Sequence, residues 1–153
     1  MIDPRENKTT LDKVYQPPST NPTIDNNDIY AAEENYSIID WFKKSLRNYT
    51  NFSGRARRKE YWYFVLVHTV LMFITSMIDA MLFDSGFPLF YGIVALGLFV
   101  PGLAVTIRRL HDTSRSGWWV LLSLIPLIGS IVLLIFFVSQ TKFETNQWGP
   151  PAK

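Results

Sequence analysis

The chain has no cysteine, and two of its three long apolar stretches have no charge. Without cysteine, disulfides and thiolate metal ligands are excluded. The runs 87–107 and 117–138 contain no Asp, Glu, Lys or Arg, and among these residue types the run 61–83 contains only Asp79. Each run is long enough for a helix that crosses a bilayer core, which takes about 20 residues. So much uncharged apolar sequence in 153 residues predicts an integral membrane protein.

The first 35 residues lack an apolar segment, so we expect no secretory signal peptide among them. They hold seven acidic against three basic residues, with little apolar surface that could offset the entropy of ordering. We expect residues 1–35 to form a disordered acidic tail and residues 36–153 to form a single membrane domain. The first apolar run would then act as its own insertion signal.

Residues 36–50 combine apolar and basic residues at helical spacing. Ile39, Phe42 and Leu46 recur on one face, and the basic residues lie elsewhere on the helical wheel. We expect an amphipathic helix in the membrane interface, where Trp41 would suit the headgroup layer. The predicted fold is therefore an all-α membrane protein, with this interfacial helix followed by three transmembrane helices at about 61–83, 87–107 and 117–138.

Basic residues flank the apolar runs unevenly. Seven Lys or Arg lie between residues 36 and 60, three lie in 108–116, and none lies in 84–86. The positive-inside rule then predicts a multi-pass protein with its N-terminus and the 108–116 loop in the cytoplasm. With three full spans, the tail 139–153 would face the other side. Pro126 and Gly129 leave a second arrangement open, in which the third run turns back as a re-entrant segment.

Two basic clusters, 51–62 and 108–119, each contain a carboxylate among arginines. Anchoring in the membrane needs only positive charge, so Glu60 and Asp112 predict a polar network that links the clusters through carboxylate–guanidinium pairs. The residues predicted for the motif and its network are Gly54, Arg55, Arg58, Glu60, Trp62, Arg108, Arg109, His111, Asp112, Ser116, Gly117 and Trp118.

The partners within this network are predicted from charge and spacing. Asp112 would pair with Arg55 or Arg58, and helical spacing also permits a local Arg108–Asp112 pair. Glu60 would accept from an arginine of the second cluster, the candidates being Arg108 and Arg109.

The same residues do not predict catalysis. His111-Asp112 is similar to a metal-binding dyad of phosphohydrolases, but a metal site needs further ligands, and the only other histidine lies inside the first run. Ser116, His111 and Asp112 lack the strand–turn–helix setting of a nucleophilic serine. No glycine-rich phosphate loop is present. We expect a protein that is not an enzyme, with no cofactor, no metal and no nucleic-acid partner.

Two ionisable residues, His68 and Asp79, fall inside the first run. They share one face of the predicted helix about 16 Å apart, so they could be two stations on a proton or cation path. The alternative that we favour places Asp79 near the outer surface in water and gives neutral His68 a hydrogen bond to a neighbouring helix.

Short motifs give the chain a resemblance to a known family. They are Phe52-x-Gly54-Arg55-x-x-Arg58-x-Glu60-x-Trp62, Arg108-Arg109-Leu110-His111-Asp112, Ser116-Gly117-Trp118-Trp119 and Asn146-x-Trp148-Gly149-Pro150. Over about residues 37–151 the chain resembles the domain of unknown function 805 family, small inner-membrane proteins of bacteria. The resemblance implies the bacterial inner membrane and no assigned chemistry. One departure is Ser114, where the family usually has glycine.

These observations predict a non-enzymatic accessory or interaction protein. Its basic cytoplasmic face would contact anionic lipid headgroups or a protein partner, which could be a second copy of the chain or another membrane protein. The alternative function is a small transporter or channel subunit.

Overall fold

A computed structural model describes residues 33–83 and 87–152. This part of the chain is helical and contains no β-strand. Its elements are α1 (Ile38–Arg47), α2 (Arg58–Leu82), α3 (Leu89–Asp112), a 3₁₀ helix (Gly117–Leu124) and α4 (Ile128–Val138). The predicted acidic tail up to residue 32, and the predicted gap 84–86, lie outside the described residues.

The two long helices, α2 and α3, pack against each other in opposite directions. Both are long and apolar enough to cross a membrane. Only 6% and 17% of the residues in their most apolar stretches are buried, whereas the core helix of a soluble protein would be mostly covered. Both helices extend beyond the predicted spans into the basic clusters, since α2 begins at Arg58 and α3 ends at Asp112.

Asp79 joins the far ends of these two helices. Its side chain is 4% exposed and accepts hydrogen bonds from the backbone N–H groups of Phe90 (2.9 Å) and Tyr91 (2.8 Å). These are orphan donors in the first turn of α3, which a carboxylate caps well. The expectation of a solvated Asp79 was therefore wrong, because the carboxylate is withdrawn from water to cap the next helix.

The third apolar run is not one helix. A 3₁₀ helix over Gly117–Leu124 leads into a break at Pro126 and Leu127, and α4 follows with only 11 residues. Pro126 has no N–H to continue a helical ladder, and Leu127 has φ +66°, outside the right-handed helical region. The predicted continuous helix at 117–138 is replaced by a hairpin, whose arms are each about 16 Å long by their residue rise.

The hairpin starts beside the end of α3, and its second arm brings the chain back to that same end of the fold. After α4, the backbone N–H of Lys142 donates to the carbonyl of Asp112 (3.2 Å), the last residue of α3. Three full spans would separate 108–116 from 139–153, whereas in the structure the backbone after α4 meets the last turn of α3. The packed core lies here as well, with Tyr61, Phe64 and Val105 buried beside Leu133 and Phe137.

α1 packs beside the starting end of α2, through a ring stack of Phe42 on Phe64 (5.5 Å). It is shorter than the predicted 36–50 and begins with a capping box between Ser37 and Asp40. The hydrogen bonds from the Ser37 side chain and backbone hold the pKa of the Asp40 carboxyl below its usual value. Trp41, predicted to face headgroups, is instead 1% exposed.

Candidate functional site

The candidate site lies at one end of the fold, which we call the basic end. It comprises α1, the connection 48–57, the first turn of α2, the last turn of α3 and the segment 137–149. Its centre is Asp112, whose side chain is fully buried. One carboxylate oxygen accepts from Arg55 Nε at 3.0 Å. The other accepts from Arg109 Nη1 and from the hydroxyl of Thr141 at 2.7 Å. Both oxygens of a buried carboxylate are thus paired, as its desolvation requires.

Arg109 links this carboxylate to the end of α4. Its guanidinium is 0% exposed and donates to the carbonyls of Phe137 (3.1 Å from Nη2) and Ser139. The last carbonyls of a helix have no intrahelical partner and carry partial negative charge. Arg109 therefore serves as a buried cap that holds the returning arm of the hairpin against α3.

Arg55 holds the segment that follows. In addition to Asp112, its guanidinium donates to the carbonyls of Lys142, Glu144 (2.9 Å) and Gly149 (3.4 Å). The backbone of 142–149 wraps around this one side chain. A planar fork of five N–H donors can serve so many acceptors at once, and lysine cannot.

A second ion pair joins α2 to α3. Arg108 Nη1 donates to Glu60 at 2.6 Å, and both side chains are buried. Lys44 of α1 approaches the other oxygen of Glu60 at 3.5 Å. The backbone carbonyl of Arg108 also accepts from the N–H of Ala56 at 3.0 Å. The Glu60 carboxylate thereby connects α1, α2 and α3.

His111 contacts the tail by ring stacking. Its ring lies 4.2 Å from that of Trp148 at an interplanar angle of 8°, and its Nδ1 is 3.2 Å from the carbonyl of Gly54. Gly54 has φ +83°, a conformation that strongly favours glycine. No group of three or more His, Asp or Glu that could hold a metal occurs in the described part of the chain.

The turn after α3 positions two further motif residues. Ser116 caps the 3₁₀ helix by accepting from the N–H of Trp118 (3.4 Å). Gly117 lies so near α3 that an added Cβ would be 2.8 Å from a methyl of Ile107. Ser114, the departure from the family pattern, has φ +59°, so a serine occupies a backbone conformation that glycine adopts more easily.

Not every predicted residue joins the network. Arg58 is exposed and forms no ion pair among the described residues, so the partner of Asp112 is Arg55. The local Arg108–Asp112 pair does not form, since the i,i+3 residue Arg109 takes that position. Trp62 and Trp118 are 36% and 79% exposed.

His68 lies apart from the network. It lines an apolar cavity of 460 Å³ between α2, α3 and the hairpin, and its ring stacks on Phe64 at 6.0 Å. Within the described residues it has no hydrogen-bond partner, so the expected bond to a neighbouring helix is absent.

The sequence interpretation did not identify the contribution of the tail. Thr141 and the backbone carbonyls of 137–149 complete the network, and Asn146 donates to the carbonyl of His111 at 2.9 Å. Backbone carbonyls leave no mark in a sequence. The Asn146-x-Trp148 motif was the available signal, because a polar and an aromatic residue in a short tail suggest packing against a structured surface.

Known proteins are similar to this chain over most of its length. The inner membrane protein YhaH of Escherichia coli (strain K12) is 43% identical over 118 residues, which cover 75% of this chain and 98% of the relative. The inner membrane protein YhaI of the same organism is 44% identical over 115 residues, covering 75% and 97%. No solved structure matches the chain.

A family model described as protein of unknown function (DUF805) matches residues 49–150, the range that holds the two basic clusters, both long helices and the hairpin. The relatives are membrane proteins, and the exposed apolar helices of this chain fit that setting. With this match over most of its length, the chain belongs to the DUF805 family.

Proposed function

We propose that this protein is a non-enzymatic accessory protein of the inner membrane, whose basic end contacts anionic lipid headgroups on the cytoplasmic side. The observation that carries the proposal is the division of charge at the basic end. The carboxylates of Glu60 and Asp112 are buried in ion pairs, while five cations remain exposed on the same end against two exposed carboxylates, Asp40 and Glu144. The exposed cations are Lys43, Arg47, Arg58, Lys59 and Lys142.

This division supports binding over catalysis. A carboxylate held between two buried guanidinium groups, as Asp112 is, cannot easily act as a general base. Exposed cations next to apolar helices meet the headgroup layer, where each adds about 1 kcal/mol of attraction to an anionic surface. The exposed Trp118 and Trp62 are suited to the same layer.

The proposal includes a topology of two full spans and a re-entrant hairpin. An arm of about 16 Å reaches only halfway through a hydrocarbon core of about 30 Å. The hydrogen bonds of the tail to Asp112 and Arg55 support a C-terminal segment on the same side as the end of α3. The N-terminus, the 108–116 loop and the C-terminal segment would then all face the cytoplasm.

Fewer observations support the alternative function, a transporter or channel subunit. Pro101 lies within α3 without dividing it, so α3 is not a broken helix with ends aimed at a solute. Asp79, the candidate station of an ion path, is occupied as a helix cap. The following experiment distinguishes binding of lipid at the basic end from binding of a partner protein there.

Thermal unfolding in mild detergent tests the lipid proposal. Added phosphatidylglycerol is expected to raise the midpoint more than phosphatidylcholine with the same acyl chains. The difference should shrink near 1 M salt, where the Debye length is about 3 Å. It should also shrink in the triple variant Lys43→Gln, Arg47→Gln, Lys59→Gln. Equal shifts by both lipids in the parent protein would contradict the proposal and favour a protein partner.

A further inference from the structure

We propose that the protein holds one phospholipid of the cytoplasmic leaflet in a defined site, with an acyl chain in the cavity beside α2 and the phosphate against Arg58. The inference rests on the proposed function, because it names the place where the anionic lipid binds. It begins from Arg58, a cation that the buried network leaves exposed and without an ion pair in the described part of the chain.

The apolar part of the site is the 460 Å³ cavity between α2, α3 and the hairpin. Its volume falls in the range of ligand sites, about 300–1,000 Å³. On α2 the cavity follows a stripe from Tyr61 through His68 to Met72, and Ala95 lines it from α3. Phe99 at its border is 66% exposed, so the cavity is open to the surrounding lipid.

The length of this stripe matches that of a lipid acyl chain in one leaflet. From Tyr61 to Met72 is 11 residues, or about 16 Å along the helix. One leaflet contributes about half of a 30 Å hydrocarbon core, so the cavity extends as deep as the acyl chain of one leaflet. Both arms of the hairpin line this space, the 3₁₀ helix with Val120 and Ser123 and α4 with Leu133 and Phe137.

A second pocket, lined by polar and apolar residues, continues the site at the basic end. Its volume is 320 Å³, and its lining includes Arg58, Gln140 and Thr141. Arg58 precedes Tyr61 by three residues on α2, so the pocket lies about one helical turn from the cavity, toward the start of α2. Gln140 follows Phe137 by three residues, just beyond the end of α4. The Tyr61–Phe137 ring contact, with centroids 4.5 Å apart, marks the boundary between them.

The two cavities together match the chemistry of an anionic glycerophospholipid. The guanidinium of Arg58 would donate charge-assisted hydrogen bonds to a phosphate, and the amide of Gln140 offers further donors. The apolar cavity above takes a hydrocarbon chain. A soluble phosphate compound would use only the lower pocket, and a second copy of the chain would supply no phosphate for Arg58.

The experiment uses the full chain in mild detergent, with phosphatidylglycerol that carries a photoreactive diazirine in one acyl chain. Binding is measured by native mass spectrometry, and the labelled peptides are mapped after irradiation. In the parent protein, label is expected in α2 and α3 at residues that line the cavity. Arg58→Gln should weaken binding more than tenfold, whereas the adjacent exposed cation control, Lys59→Gln, should weaken it no more than about fivefold.

A pair of bulky substitutions tests the acyl site. Ala95→Phe should fill the cavity and remove the label, whereas Ile93→Phe, an exposed residue of α3 outside the lining, should leave the label in place. Near-equal losses in Arg58→Gln and Lys59→Gln, or labelling unchanged by Ala95→Phe, would overturn the defined site. If the parent still preferred phosphatidylglycerol over phosphatidylcholine, the proposed function would stand without this site; if it did not, both would fail.

Discussion

Replacement of Asp112 by asparagine is expected to lower the free energy of unfolding by about 3–5 kcal/mol, the range measured when one partner of a buried ion pair is removed. The substitution keeps the shape of the side chain but removes its charge. Arg55 and Arg109 would be left buried beside a neutral amide, in a site where their desolvation is no longer compensated. The tail 137–149 should loosen as well, because both arginines also hold its carbonyls.

The measurement is thermal unfolding of the purified protein in mild detergent, followed by tryptophan fluorescence. Glu144→Gln is the matched control, because this carboxylate is exposed and Arg55 binds only its backbone carbonyl. The control should unfold like the parent within about 0.5 kcal/mol. If the two variants lost equal stability, the buried network would not organise the basic end, and its charges would serve only as membrane anchors.

Replacement of Gly129 by alanine is expected to disrupt the hairpin, with a loss of about 3 kcal/mol or more. A Cβ at this position would overlap the backbone carbonyl of Leu122 in the 3₁₀ helix. Backbone atoms cannot rotate away as a flexible side chain can, so the two arms would have to separate. The loss should appear in the same unfolding experiment.

Gly97→Ala is the control for this change. Gly97 lies inside α3, and an added Cβ there has no other atom within 4 Å. Alanine is the better helix former, so this variant should be more stable than the parent by about 0.5–1 kcal/mol. Similar stability of Gly129→Ala and Gly97→Ala would mean that the arms of the hairpin do not touch at Gly129.

The long apolar helices could be predicted because their signal is local. The stretches 61–78 and 87–107, which contain no Asp, Glu, Lys or Arg, decide the nature of α2 and α3 regardless of tertiary contacts. α1 was predictable for a similar reason, since the helical spacing of Ile39, Phe42 and Leu46 is a signal within a few residues. The burial of Trp41 was not predictable, because its ring contacts include Arg57, 16 residues later, whose guanidinium lies 5.8 Å from the ring centroid.

The third run shows where counting apolar residues fails. Its length satisfies the rule for a span, yet Pro126 and Gly129 decide its shape through one missing donor and one close approach. Sequence makes both residues visible but does not say whether they kink a helix or reverse it. That outcome depends on the contact with the Leu122 carbonyl, seven residues earlier.

The existence of a polar network could be predicted from the sequence, but the residues that pair within it could be predicted only in part. Carboxylates among arginines indicate pairing, because a buried or interfacial charge needs a partner. The choice of Arg55 over Arg58 for Asp112 depends on which side chain faces the end of α3, which a sequence does not give. The role of Asp79 was missed because its partners are backbone N–H groups of α3.

The return of the tail to the basic end can be measured directly, because the chain has no cysteine. Single-cysteine variants Ser85→Cys, Ser114→Cys and Thr145→Cys would be treated with a membrane-impermeant maleimide in intact cells. Ser114 and Thr145 are exposed, so all three thiols should react once the membrane is permeabilised. We expect only the cysteine at 85 to be labelled in intact cells. Labelling of 145 as strong as that of 85, with 114 protected, would contradict the hairpin and restore a third full span.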